Sequence, residues 1–227
     1  ANTTGGNLTA VGKGALAANT TANDNTAVGL QSLTSNTTGA SNTAVGRDAG
    51  KFATTANNST FIGSFAGQGI TGAKLTGSGN TAIGKGAGLL LQGEGNSNTF
   101  IGREAGAGTT INGHSVCIGD QAGHDATADV NICIGSGSGR KITTGAHNII
   151  MGYLAGSHGI ELADGIGNIL IGNYTDTTAT DSDYATAIGY NVSGEAGFTT
   201  VGLNADDIRA AHGTATWATV SDERYKK

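Results

Sequence analysis

The chain has 227 residues, 40 of them glycine, with no proline and only 13% charged residues, which sets it apart from both a disordered tract and an ordinary globular domain. A net charge of −5 and a pI near 5.4 argue against duplex nucleic acid as a partner. No apolar run approaches the ~20 residues of a membrane helix, so we expect neither membrane insertion nor a signal peptide.

Taken in chain order, one beat recurs twelve times: a β-branched residue, an apolar or small one, Val or Ile (once Met), then Gly. The glycines are Gly12, Gly29, Gly46, Gly63, Gly84, Gly102, Gly119, Gly135, Gly152, Gly172, Gly189 and Gly202, at steps of mostly 17 residues. A near-constant period of this size predicts stacked coils, because one repeat cannot bury its own apolar face. Each beat reads as a short strand, since Thr, Val and Ile suit a pleated backbone.

The first and third residues of each strand share one face, and the middle residue (Ala27, Ala44, Phe61, Ala82, Phe100, Cys117, Cys133, Ile150, Leu170, Ala187) points the other way. Both rows are apolar or β-branched, so both faces are expected to be buried. A coil covers one face with its own return segment, and the second needs another layer or chain. An oligomer follows, most simply a trimer. The predicted fold class is all-β, an elongated trimeric parallel β-roll or β-helix of about twelve coils with a ~17-residue repeat.

Asn precedes the strand in seven repeats (Asn25, Asn42, Asn80, Asn98, Asn131, Asn148, Asn168). Stacked ~4.7 Å apart, these amides can bond along the stack or supply the turn into each strand, and the two roles are compatible. After the glycine comes x-x-Ala-Gly, whose small residues suit a tight corner. The remaining eight or so residues read as variable exposed loops. Cys117 and Cys133 share a repeat position on successive coils; we read them as buried thiols, with a disulfide as the alternative.

Charge and aromatics are uneven. Up to Gly156 there are 7 acidic and 8 basic residues, and from Ser157 onward 10 acidic and 4 basic. All five tyrosines and Trp217 lie beyond residue 150. Aromatic faces beside carboxylates suit a carbohydrate site, and the candidate receptor-binding cluster is Tyr174, Asp181, Asp183, Tyr184 and Trp217. The competing reading has Tyr174 and Tyr190 filling the end of a trimer. The five histidines (His114, His124, His147, His158, His212) lack a consistent repeat position, so neither a metal site nor a cofactor is predicted. Gly135-Ser136-Gly137-Ser138-Gly139 lacks the strand-turn-helix context of a nucleotide site and reads as a coil corner.

The Asn-Thr-Ala-Val-Gly and Thr-Ala-Ile-Gly beats resemble the head repeats of trimeric autotransporter adhesins, which implies a trimeric parallel β-roll, although the period is longer here. The last seven residues, Ser221-Asp222-Glu223-Arg224-Tyr225-Lys226-Lys227, resemble the opening of the S74 self-cleaving intramolecular chaperone carried by phage tail fibres and tailspikes. Tyr225 stands where that family more often has Leu. The resemblance implies autocleavage between Val220 and Ser221, with Ser221 as nucleophile and Lys226 as its base. A Ser-Lys pair makes chemical sense if burial and nearby Arg224 favour the neutral amine.

The expected organisation is a repeat shaft over 1–202, a distal cap over 203–220 and the start of a cleavable chaperone over 221–227. The expected function is that of a distal segment of a bacteriophage tail fibre in the virion. It would be a homotrimer that binds a bacterial cell-surface glycan or outer-membrane receptor alongside other tail proteins. A glycan-cleaving tailspike is one alternative, although no carboxylate pair stands out for glycoside hydrolysis. A bacterial trimeric adhesin is another. A left-handed β-helix acyltransferase would repeat its hexapeptide three times per coil, whereas Ile-Gly-x-x-Ala-Gly occurs once.

Overall fold

A computed structural model of the chain describes residues 2–110, 113–204, 206–213 and 218–219. The protein is an all-β parallel solenoid, with no helix among the described residues. Two compact units divide it, Ala1–Gln121 and Ala122–Lys227.

The first unit contains β1 (Thr9–Val11), β2 (Thr26–Val28), β3 (Thr43–Val45), β4 (Thr60–Ile62), β5 (Thr81–Ile83), β6 (Thr99–Ile101) and β7 (Val116–Ile118). Each is one three-residue beat. Neighbours pair in parallel and in register, so that Thr26 stands beside Thr43, Ala27 beside Ala44 and Val28 beside Val45. The second unit contains β8 (Ile132–Ile134), β9 (Ile149–Met151), β10 (Ile169–Ile171), β12 (Thr186–Tyr190) and β14 (Phe198–Leu203), stacked the same way. A side ladder joins β11 (Asp176–Thr177) to β13 (Ser193–Gly194). The parallel stack ends where β15 (Asp206–Ala211) turns back antiparallel on β14, followed by β16 (Ala218–Thr219). A paired hairpin of this kind blunts the open edge of the last coil.

The core lies inside each coil. From β2 onward the middle strand residue is buried, as at Ala44, Phe61, Phe100, Ile150 and Leu170. It packs among the Ala of the corner (Ala49, Ala66, Ala87, Ala105, Ala122, Ala155) and an apolar residue of the return segment (Leu33, Leu75, Leu91, Ile142, Leu162).

The return segments differ from the loops read in the sequence, because they are hydrogen-bonded from coil to coil, for the most part without forming strands. Thr20 N donates to Thr37 O at 3.1 Å, Thr37 N to Thr54 O at 2.9 Å and Thr54 N to Leu75 O at 3.0 Å; in the second unit Ala163 N donates to Thr180 O at 2.9 Å. The physical reason is that a buried apolar residue drags its backbone out of water, and those amides then need partners. In the longer step between Gly63 and Gly84, an antiparallel bridge between Ile70 and Ala73 closes a bulge. The chain rejoins the ladder at Leu75, bridged to Ala53 and Gly93.

The repeat glycine has two reasons to be glycine. At Gly46 φ is +136°, and an added Cβ would lie 2.5 Å from the Gly63 carbonyl oxygen of the next coil. No L side chain fits both the dihedral and the space.

The buried asparagines serve both roles read in the sequence, but their main partners are backbone groups. Asn25 Nδ2 donates to Gly39 O at 2.8 Å, Asn42 Nδ2 to Ala56 O at 2.7 Å and Asn131 Nδ2 to Gly145 O at 2.8 Å. Each Oδ1 then accepts the backbone N–H that opens the next strand, as from Asn42 to Asn25 at 2.9 Å. Amide-to-amide bonds are the minor part, between Asn98 and Asn80 at 3.1 Å, Asn148 and Asn131 at 3.2 Å, and Asn168 and Asn148 at 3.0 Å. Cys117 and Cys133 are buried thiols, not a disulfide.

From β2 to β12 a single chain buries the middle-residue face of the repeat strands, whereas the outer rows stay half-exposed. Val45 keeps 37% and Ile62 39% of its surface, and Met151, Ile171 and Ile188 are similar. The strand's own coil has nothing left with which to cover that face.

Candidate functional site

Immediately after each repeat glycine the backbone turns a corner in which the second residue takes a left-handed conformation, with φ of +56° at Asp48 and Glu104, +52° at Leu154 and +60° at Tyr174. Because the fold fixes the backbone there and leaves the side chain outside the core, the two corner positions carry the chain's surface chemistry. In the first unit half of these positions are charged, namely Lys13, Arg47, Asp48, Lys85, Arg103, Glu104 and Asp120. Arg103 Nε lies 2.7 Å from Asp120 and its Nη1 3.1 Å from Glu104, while the Arg47 guanidinium sits 4.3 Å above the Phe65 ring. These are exposed pairs of small energetic weight.

The last coils of the second unit carry none of this charge. Their corner positions hold Tyr153 and Leu154, Asn173 and Tyr174, Tyr190 and Asn191, Leu203 and Asn204. Tyr153, Tyr174 and Tyr190 form a continuous ladder over three consecutive coils. Ring centroids are 5.4 Å apart from Tyr153 to Tyr174 and 5.6 Å from Tyr174 to Tyr190, with edge-to-face angles of 81° and 89°. This is the favoured arrangement for aromatic quadrupoles. Tyr153 is 46% and Tyr190 45% exposed, and none of the three hydroxyls makes a hydrogen bond among the described residues. Asn173 Oδ1 accepts from Tyr153 N at 3.0 Å, and Asn191 Nδ2 donates to Asn204 Oδ1 at 3.1 Å.

The His158 ring packs against Tyr174 at 4.5 Å. Its loop is held by Asp176, whose Oδ2 accepts from Gly159 N at 2.8 Å and Ile160 N at 2.9 Å while Oδ1 accepts from Thr177 N at 3.0 Å. Burial pushes the Asp176 carboxyl above its ordinary range, and these amide bonds only partly oppose the shift. The folded-state value is thus raised. Its contribution to stability is complete below the ordinary carboxylate range and is lost as pH rises through the raised value. Exposed Asp164 has the opposite sign, since the hydroxyls of Thr144 and Thr143 lower its value. In denaturant titrations at pH 4 and pH 7, the parent is therefore expected to gain stability relative to Asp176→Asn on going to pH 4. A pH-independent difference between the two would refute the assignment.

The sequence-predicted receptor cluster is only partly assembled. Tyr174 lies in the ladder. Tyr184 is 62% exposed on the corner before β12, with its ring over Gly167, and no ring contact joins it to Tyr174. Asp183 Oδ1 accepts from Ile166 N at 2.7 Å, and Asp181 is exposed on the same approach to β12. Trp217, Ser221 and Lys226 lie outside the described residues.

Tyr153, Tyr190 and His158 were not in that cluster. Counting outward from each repeat glycine, rather than scanning for aromatic density, would have aligned Tyr153 with Tyr190 and placed Tyr174 beside them. The same count puts His114 and His147 at one shared position, five residues before the glycine, where both have positive φ. No group of three or more His, Cys, Asp or Glu among the described residues could hold a metal ion. The chain matches no protein-family profile, no curated protein and no solved structure.

Proposed function

We propose that this chain is a segment of a bacteriophage tail fibre, a homotrimer that attaches to a receptor on the bacterial surface. The observation that carries the reading is the outward row of Val, Ile and Met. From β2 onward the coils pair a dry interior with a half-exposed apolar strand face, and soluble proteins rarely leave such a row uncovered. Identical chains offer identical rows at the same coil spacing, so copies of this chain are the natural cover. The phage assignment, as against a bacterial adhesin, rests on the resemblance of Ser221 to Lys227 to the S74 chaperone opening.

Light scattering on the purified chain tests the oligomer, with a trimer mass expected at micromolar concentration. A monomer would overturn the reading. The chaperone resemblance is tested separately. In a precursor that continues into such a chaperone, the chain is expected to be cut between Val220 and Ser221, and Ser221→Ala to leave it whole. Intact-mass spectrometry distinguishes the two, and cleavage that persists in Ser221→Ala would remove Ser221 as the nucleophile.

A further inference from the structure

We propose that the Tyr153–Tyr174–Tyr190 ladder is a binding platform for an extended, uncharged polysaccharide lying along successive coils of the second unit. The proposal rests on the receptor-binding reading above, and gives it a location and a ligand chemistry.

Three properties of the corner argue for this occupant. The first is spacing. Parallel strands repeat at ~4.7–4.9 Å, and the tyrosine centroids follow at 5.4 and 5.6 Å. That advance is close to the length of one pyranose residue in an extended chain, so successive sugars pass successive tyrosines, with half-exposed Tyr153 and Tyr190 available at the two ends and Tyr174 holding them apart. The second is chemistry. A tyrosine ring offers an apolar face to the C–H side of a sugar and a hydroxyl to its rim, and all three hydroxyls here lack a partner among the described residues. Asn173 adds an Nδ2 that donates no hydrogen bond among the described residues, which suits a sugar hydroxyl.

The third property is charge. The same two corner positions carry seven charged side chains in the first unit and none from Tyr153 to Asn204. A polyanion such as an acidic capsule would find no counter-charge on the ladder, whereas a neutral polymer loses nothing there. The platform is also pre-organised. Tyr174 is wedged between its neighbours and His158, whose loop Asp176 pins through two backbone amides. Little side-chain freedom remains to be lost on binding.

The competing occupant is a second copy of this chain, because the ladder begins two residues beyond the half-exposed Met151. The experiment separates these outcomes. The full chain is applied to an array of purified bacterial surface polysaccharides, neutral and acidic, beside a Tyr153→Ala/Tyr190→Ala variant that leaves Tyr174 in place. Light scattering is recorded on both proteins. The expected result is retention on at least one neutral polymer, weakened roughly tenfold or more in the variant, with the mass of the particle unchanged. Retention on acidic polymers alone, retention on none, or equal retention by parent and variant would each overturn the proposal. A variant that falls apart into smaller particles would assign the ladder to the copy-to-copy face and overturn it too. A monomeric parent that still binds neutral polymer through the tyrosines would defeat the trimer reading while leaving the ladder proposal standing. A trimer that binds nothing would do the reverse.

Discussion

Replacing Asn148 by Leu is expected to destabilise the second unit by about 2–6 kcal/mol, the cost of leaving two buried backbone groups unpaired at about 1–3 kcal/mol each. The two side chains are close in volume, so the substitution opens no cavity and isolates the hydrogen bonds. Asn148 Nδ2 donates to Gly165 O at 2.9 Å and to Asn131 Oδ1 at 3.2 Å, and Oδ1 accepts from Asn168 N at 2.8 Å and Asn168 Nδ2 at 3.0 Å. Gly165 O and Asn168 N have no other partner among the described residues, and Asn148 and Asn168 are fully buried. Asn148→Ser is the informative companion. Ser59 stands in the same row and its Oγ accepts from Asn80 N at 3.2 Å, so a serine keeps the acceptor for Asn168 N and loses the donor to Gly165. Urea denaturation at fixed protein concentration should rank parent, Ser and Leu in that order. A Leu variant within about 0.5 kcal/mol of the parent, a margin typical of surface substitutions, would mean that the asparagine row does not hold successive coils together.

Placing glutamate on the outer strand face, as Val45→Glu with Ile62→Glu, is expected to abolish the proposed trimer while leaving each coil folded. Both side chains are on the half-exposed face of β3 and β4, so within one chain the glutamates meet water and the interior of Ala44 and Phe61 is untouched. Between copies the balance reverses. With under two-fifths of each side chain still open to solvent, covering it contributes roughly 0.5–1 kcal/mol, and a threefold interface repeats every contribution along the stack. A glutamate in its place brings an unpaired carboxylate against two others, at a cost of several kcal/mol per ion. The expected outcome is a monomer by light scattering with an unchanged far-ultraviolet circular dichroism spectrum. A particle of unaltered mass would move the interface elsewhere, and loss of the β signal would show that the outer face is needed by the single chain.

The positions of the strands were legible in the sequence because the beat is local. Three residues alternate across a pleat, and a glycine must follow wherever the next coil's carbonyl occupies the space of a Cβ. Those two constraints act within one repeat and its neighbour, so the spacing of Thr, Val or Ile, and Gly reports them directly. The buried asparagines were legible for the same reason, although their partners were not. The carbonyls of Gly39, Ala56 and Gly165 lie in segments whose lengths vary from coil to coil.

The return segments and the site required the tertiary structure. Leu75 and Leu162 sit in stretches of no fixed period, and only stacking reveals that they fill the same interior as Ala44 or Ile150. Tyr153 and Tyr174 occupy different corner positions on either side of one of the longer steps, so counting from the glycines places them at neighbouring corners but does not show that their rings meet. Two coils of unequal length bring their rings together. The twelvefold beat by itself determined a parallel stack with a dry inner face and an apolar outer row. Which residues share a surface was decided by how the coils of variable length close, because register along the stack is fixed by the strands and not by the count of residues between them.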